Sequence, residues 1–204
     1  MFHVKHEGWD AVTGALGLSL SSDQLDQLES FESLVRGHAI PLGMVATADE
    51  GRLRERHVQD CLRAATVVRT ADRTSYDLGS GAGLPGVVVA IACPSLDVTL
   101  VESRRPRAAF LELVVERLRL SNARVAGVRV ETLTEPVDLC FSRAFTRVAK
   151  AWKSAKPLLS PRGRLVYFAG QRFEPADLPK GIVSAMVTTS ALARSGPLVI
   201  MSQQ

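Results

Sequence analysis

A chain of 204 residues, 46% hydrophobic and 23% charged, has room for one domain or one domain with an extension, and it can bury a sizeable core. Its formal charge is only +4, yet 20 of its 25 basic residues are Arg; a planar guanidinium grips phosphates two-pronged, so either a polyanionic partner or a genome-wide preference for Arg codons stands behind the bias. The cysteines, Cys61, Cys93 and Cys140, lie far apart in apolar surroundings with no C-x-x-C, which suggests neither a zinc site nor a disulfide framework and points to a reducing compartment.

Residues 1 to about 20 begin MFHVKHEGWD, with no apolar run behind the basic residues, so they do not read as a signal peptide. Punctuated by Gly and Ser, they are expected to be loosely held, with His3 and His6 at a solvated end rather than on a metal. A helix is predicted from Ser21: Ser21 and Gln24 have capping-box spacing, and Leu25, Leu28, Phe31 and Leu34/Val35 recur at helical period. A loop, GHAIPLGMVATAD, separates it from a second helix over about 50–70, with Val58, Cys61/Leu62, Ala65 and Val68 on its apolar face.

From Ser75 strands alternate with helices. Tyr76 to Leu78 is a short strand, followed by a glycine loop and an apolar helix through Ala92. Asp97 to Val101 is a second strand, and Pro106 to Leu120 an amphipathic helix. A third strand lies near Arg124 to Val128 and a fourth over Asp138 to Ser142; a helix follows from about Phe145 to Lys156, and Arg164 to Phe168 is a fifth strand. Such β-α repetition with short connections builds a parallel sheet with helices on both faces. Ile182 to Thr189 and Pro197 to Ser202 break the rhythm and read as a closing antiparallel hairpin at one sheet edge. Residues 1–70 are thus expected as a helical extension packed on a core of residues 71–204. The longest uncharged run, Leu78 to Leu96, holds four Gly and two Pro and makes a poor membrane span, so a cytoplasmic protein is expected.

The stretch YDLGSGAGLPG places four glycines in the eight positions from Gly79 to Gly86. Residues 81–86 satisfy the G-x-G-x-x-G of nicotinamide and flavin enzymes; from Gly79 the same residues read G-x-G-x-G. In an open parallel sheet the ligand crevice lies beyond the carboxyl ends of the strands, beside the first, where this loop falls. Glu102, ending the second strand, can accept both hydroxyls of a ribose and suits any adenosine cofactor. Asp77 discriminates. A pyrophosphate seeks the loop and helix N–H groups, and an aspartate two residues before the first glycine sets a negative charge near it. S-adenosyl-L-methionine instead carries a sulfonium and an ammonium and no phosphate. Strand, acid and G-x-G-x-G form the arrangement of Rossmann-like (class I) methyltransferases, so Asp77, Gly79, Gly81, Gly83 and Glu102 are expected at such a cofactor.

The fourth strand ends Phe141-Ser142-Arg143-Ala144-Phe145, without the Asn-Pro-Pro of amine methyltransferases. Cys140 falls inside the strand and reads as core. Arg143 is expected to project into the crevice, because a cation at a helix start opposes the dipole and needs another reason to be there. Arg104, Arg105 and Arg107 follow the second strand, and Arg143, Arg147, Lys150 and Lys153 follow the fourth. Both clusters fall on the carboxyl rim of the sheet, which suggests a phosphate backbone as substrate.

Together DLGSGAGLPG, VESRRPRAAFL, DLCFSRAF and the helix Arg56 to Leu62 (RHVQDCL) resemble the RsmG family, also called glucose-inhibited division protein B, over roughly residues 25–200. The resemblance implies methylation of the ring nitrogen seven of one guanine in small-subunit (16S) ribosomal RNA, as naked rRNA or as the 30S subunit, by a single chain using S-adenosyl-L-methionine and no metal or membrane. It also implies cofactor contacts at Gly79, Leu84, Val130, Glu131 and Arg143. The chain departs from the family's pattern at Cys61 (for Ser), at Gly43-Met44-Val45 (for Asn-Leu-Thr), at Pro106 and Ala169 (each for Lys) and in its Ser-Gln-Gln end, which lacks the usual basic residues. Arg143, His57 and Asp60 are taken as the catalytic candidates. Arg143 would anchor the methionine carboxylate or an rRNA phosphate; His57 and Asp60, one helical turn apart, would orient the cofactor tail or the RNA, or simply tie the N-terminal helices to the sheet. Two other readings stand beside this one: a nicotinamide-dependent oxidoreductase, and a non-catalytic RNA-binding or ribosome-assembly factor on the same fold.

Overall fold

The computed structural model describes residues 8–189, 192 and 195–204. Seven strands form one sheet: β1 (Thr74–Leu78), β2 (Asp97–Val101), β3 (Ala123–Ala126), β4 (Val137–Arg143), β5 (Leu159–Phe168), β6 (Ile182–Val187) and β7 (Leu198–Gln203). Their order is β3-β2-β1-β4-β5-β7-β6. The first five run parallel, and β7 is antiparallel to both β5 and β6. The order reverses between β1 and β4, opening a gap at their carboxyl ends where an open α/β sheet can hold a ligand.

The α-helices are α1 (Asp10–Ala15), α2 (Ser22–Leu34), α3 (Gln59–Leu62), α4 (Gly86–Ala92), α5 (Arg105–Leu118) and α6 (Val148–Ala155). The central strands are apolar toward both faces, which is why they read as short continuous runs. On one face Val98, Leu100, Leu139 and Phe141 meet α4, α5 and the N-terminal elements in a single apolar cluster. On the other, Tyr76, Leu78, Val101 and Cys140 meet α6.

The Ser21–Gln24 capping box forms as expected, with Ser21 Oγ accepting the Gln24 N–H at 3.2 Å and Gln24 Oε1 the Ser21 N–H at 2.9 Å. The side-chain amides of the same helix satisfy carbonyls that a helix end leaves without a donor: Gln24 Nε2 donates to Ile91 O of α4 at 2.7 Å, and Gln27 Nε2 to Leu118 O of α5 at 2.9 Å.

Four expectations need correction. The segment before Ser21 is not loosely held throughout: α1 forms, and Trp9 is fully buried, with the Arg54 guanidinium 4.8 Å from its ring centre. His3 and His6 lie outside the described residues. The loop from Gly37 opens instead as a wide π-helical turn, Val35–Ala39, that prolongs α2. The helix expected over 50–70 is broken into a 3₁₀ turn (Thr47–Arg52), a π turn (Arg54–Val58), α3 and a further 3₁₀ turn (Ala65–Val67). A π turn carries one residue more per hydrogen-bonded ring than an α turn, and that shift of register leaves no mark in hydrophobic spacing. The helix after β4 also starts later than Phe145, at Val148. No helix among the described residues is long and apolar enough to cross a membrane.

Candidate active site

Where β1 ends, Asp77 is 1% exposed, and its Oδ2 accepts from Ser80 Oγ at 2.6 Å and from the Gly86 N–H at 2.9 Å. The glycine loop is therefore folded back over this carboxylate. A side chain at Gly86 would meet Asp77 Oδ2 at 2.6 Å, so only glycine lets α4 start so close to the strand. Burial pushes the Asp77 pKa up to about 6 against the pull of its two hydrogen bonds and of Arg143.

Where β2 ends, Glu102 holds two more backbone groups. Its Oε2 accepts from the Gly81 N–H at 3.2 Å and its Oε1 from the Arg104 N–H at 2.9 Å. Asp77 thus fixes the loop from beneath, and Glu102 fixes it from the side.

Beside them opens a cleft of about 450 Å³, lined by Gly79, Glu102, Val130 and Glu131 together with Arg104, Arg107, Phe145 and Lys150. It continues past Glu131 and Lys150 into a second hollow of about 570 Å³ that reaches Leu133, Lys153 and Pro157. Of the residues expected at the cofactor, Gly79, Glu102, Val130 and Glu131 line the first cleft. Asp77, Gly81, Gly83 and Leu84 do not; Asp77 and Leu84 are buried behind it. Gly79 has φ +70°, and the ring of Phe145 lies against its bare α-carbon. Ala144, which turns the chain from β4 toward that ring, is held at φ +53°, a left-handed conformation that costs a side chain about 1–2 kcal/mol.

Around the cleft mouth Arg104, Arg105, Arg129, Arg147, Lys150 and Lys153 are exposed. None of them forms an ion pair among the described residues. The expected basic rim is present except for Arg143, and Arg129 belongs to it as well.

Arg143 does not line this cleft. It is turned toward α3 and the π turn before it, where Nε donates to Asp60 Oδ2 at 3.3 Å and Nη2 to Arg56 O at 3.3 Å and to His57 Nδ1 at 2.9 Å. Nor does it start a helix: Arg147 precedes α6 immediately, so the dipole argument falls on that residue instead. His57 and Asp60 do not bond to each other; the π turn brings both to Arg143. Sequence reasoning missed the rest of the cluster. His57 Nε2 lies 3.0 Å from Asp49 Oδ2, Asp60 Oδ1 accepts from Arg63 Nε at 3.0 Å, and Arg63 Nη1 donates to Gly196 O at 2.8 Å. Both Arg63 and Arg143 lie over the ring of Phe168, at 5.7 and 6.0 Å. Only the spacing of charges in the broken helix hinted at this, and Asp49 sits in a stretch with no periodicity to mark it.

The thiols are inert by environment. Burial pushes Cys61 up to about 12 and Cys93 up to about 11, and it raises Cys140 as well. No cluster of His, Cys, Asp and Glu suited to a metal ion occurs among the described residues.

Comparison with known proteins gives concordant results. A family model described as rRNA small subunit methyltransferase G matches residues 24–178. Ribosomal RNA small subunit methyltransferase G of Polaromonas naphthalenivorans is 34% identical over 180 residues, 82% of this chain and 80% of its own length. The protein of that name from an Acidovorax strain is 35% identical over 187 residues, 86% of this chain and 80% of its own. Among solved structures, a SAM-dependent methyltransferase from Aquifex aeolicus superposes with TM-score 0.57 at 16% identity, over 79% of this chain and 97% of its own. A variant of MtNAS in complex with S-adenosylmethionine does so with TM-score 0.59 at 13% identity, over 98% and 87%. At such identities the structures speak to the fold alone, a class I methyltransferase sheet.

Proposed function

Since the chain belongs to the rRNA small subunit methyltransferase G family, we propose that it moves a methyl group from S-adenosyl-L-methionine to nitrogen seven of a guanine in small-subunit ribosomal RNA, acting as a single chain. One observation carries the choice of cofactor. The N–H groups of Gly81 and Gly86, which a pyrophosphate would need, are already bound by the carboxylates of Glu102 and Asp77. The loop is an acid-backed cradle rather than a phosphate nest, and the nicotinamide reading loses its support.

The residues present suit the cofactor. Gly79 offers bare backbone, Glu102 and Glu131 offer carboxylates to ribose hydroxyls, and the buried Asp77 favours positive charge nearby. S-adenosylmethionine supplies an electrophilic methyl when bound. Guanine nitrogen seven has an in-plane lone pair and no proton, so the chain needs no general base. Its task is alignment, which can supply about 7–11 kcal/mol of barrier reduction. The exposed cations around the mouth serve a phosphate backbone, and Arg143 serves an anion.

Labelled S-adenosylmethionine incubated with the protein and either unmethylated 30S particles or naked 16S rRNA is expected to give label recoverable as 7-methylguanine. Unlabelled rRNA from both substrates overturns the proposal, and it would favour the assembly-factor alternative.

A further inference from the structure

Arg143 carries five N–H groups, and its neighbours take only one side of them. Nε is held by Asp60 and Nη2 by Arg56 O and His57 Nδ1, while Nη1 has no partner among the described residues. A guanidinium only donates, so the 2.9 Å contact requires a lone pair on His57 Nδ1. The ring proton of a neutral imidazole must then sit on Nε2, where Asp49 Oδ2 receives it at 3.0 Å. Asp49 is itself fixed by the Arg56 guanidinium at 2.8 Å. A doubly protonated ring would turn an N–H against the N–H groups of Arg143 and break the contact.

We propose that Asp49 and His57 are positioning residues for Arg143. They hold its guanidinium with the Nη1 edge open to an anionic group, and they do so only while His57 is neutral. The identity of that anion, a cofactor carboxylate or an RNA phosphate, rests on the function proposed above; the hold itself does not. The charged groups around the imidazole are Asp49 with Arg52 behind it, Arg56 on its own turn, Asp60 and Arg63 from the α3 segment, and Arg143 from β4 with Asp77 behind it. Burial and Arg143 lower the imidazole's pKa against the pull of Asp49, which leaves it neutral at pH 7.

The test measures S-adenosylhomocysteine binding by calorimetry between pH 5 and 8 on the full chain, with thermal melts run alongside. Wild type, His57→Asn and His57→Leu are compared. 5′-Methylthioadenosine, which lacks the carboxylate, and a short 16S rRNA strand form the other two arms. Wild-type affinity is expected to fall about tenfold toward pH 5. His57→Leu is expected to be about tenfold weak at every pH. Asn keeps an acceptor near the δ position and does not titrate, so His57→Asn should recover most of that loss with a smaller acid decline. Losses confined to S-adenosylhomocysteine assign Nη1 to the carboxylate, and losses confined to RNA assign it to a phosphate. Identical pH profiles for wild type and His57→Asn, or wild-type binding by His57→Leu in all three arms, overturn the proposal. Failure of wild type to bind any of the three ligands removes the functional reading. The hold is then judged by ¹⁵N chemical shifts of the His57 ring, where the Nε2–H tautomer at pH 7 sustains it and the Nδ1–H tautomer refutes it.

Discussion

The Phe145 ring rests on the α-carbon of Gly79, so the first glycine of the loop and the residue after the β4 turn share one space at the cleft floor. A methyl group at residue 79 has to displace the ring and also adopt φ +70°. Gly79→Ala should weaken S-adenosylhomocysteine binding by tenfold or more. Adding Phe145→Ala should recover only part of the loss, because left-handed strain of about 1–2 kcal/mol remains. Calorimetry reads both, and an unweakened Gly79→Ala protein contradicts the arrangement.

Asp77 makes stability depend on pH in a defined direction. Its folded pKa of about 6 lies above the ordinary 3.8. The folded state therefore favours the protonated acid; that contribution is complete below pH 3.8 and is lost as the pH rises through about 6. Asp77→Asn removes a buried charge at pH 8 worth at most on the order of 3 kcal/mol, and it removes almost none at pH 4. The melting temperature of the Asn variant relative to wild type should thus be higher at pH 8 than at pH 4. An equal difference at both values refutes the assignment.

Arg105 and Arg147 stand outside the cleft, exposed and free of ion pairs among the described residues. Replacing either by Ala should lower the slope of log affinity against log salt for single-stranded 16S rRNA by about 0.7, the loss of one phosphate contact. S-adenosylhomocysteine affinity should stay as in wild type. An unchanged slope in both variants places the RNA on another face.

β1, β2 and β4 can be read from the sequence because strands buried on both sides leave short apolar runs such as DVTLV, and because the glycines that follow admit little but a tight loop. Glu102 is legible for a related reason: it follows a strand's carboxyl end, where topology sets the cleft, whereas Val130 and Glu131 are named by the family resemblance alone. The place of Asp77 was not legible, since it is buried and holds the glycine loop through Ser80 and Gly86 rather than lining the cleft wall. What the sequence hides is the pairing of Arg143. Its partners come from a segment whose hydrogen bonds switch from 3₁₀ to π to α within a dozen or so residues, and hydrophobic period carries no trace of such changes. Trp9 is hidden differently, because the Gly and Ser around it suggest slack while Arg54 and the interior of the N-terminal segment hold it.

Gln24 and Gln27 extend from α2 like two fingers pressed on the loose ends of α4 and α5. Peeling the N-terminal segment away would bare those carbonyls and uncover the greasy flank of the helix on which the glycine loop is mounted. The segment is thus a lid screwed to the box rather than an appendage: the molecule should come apart in one step, and a fragment starting at Thr74 should clump instead of folding.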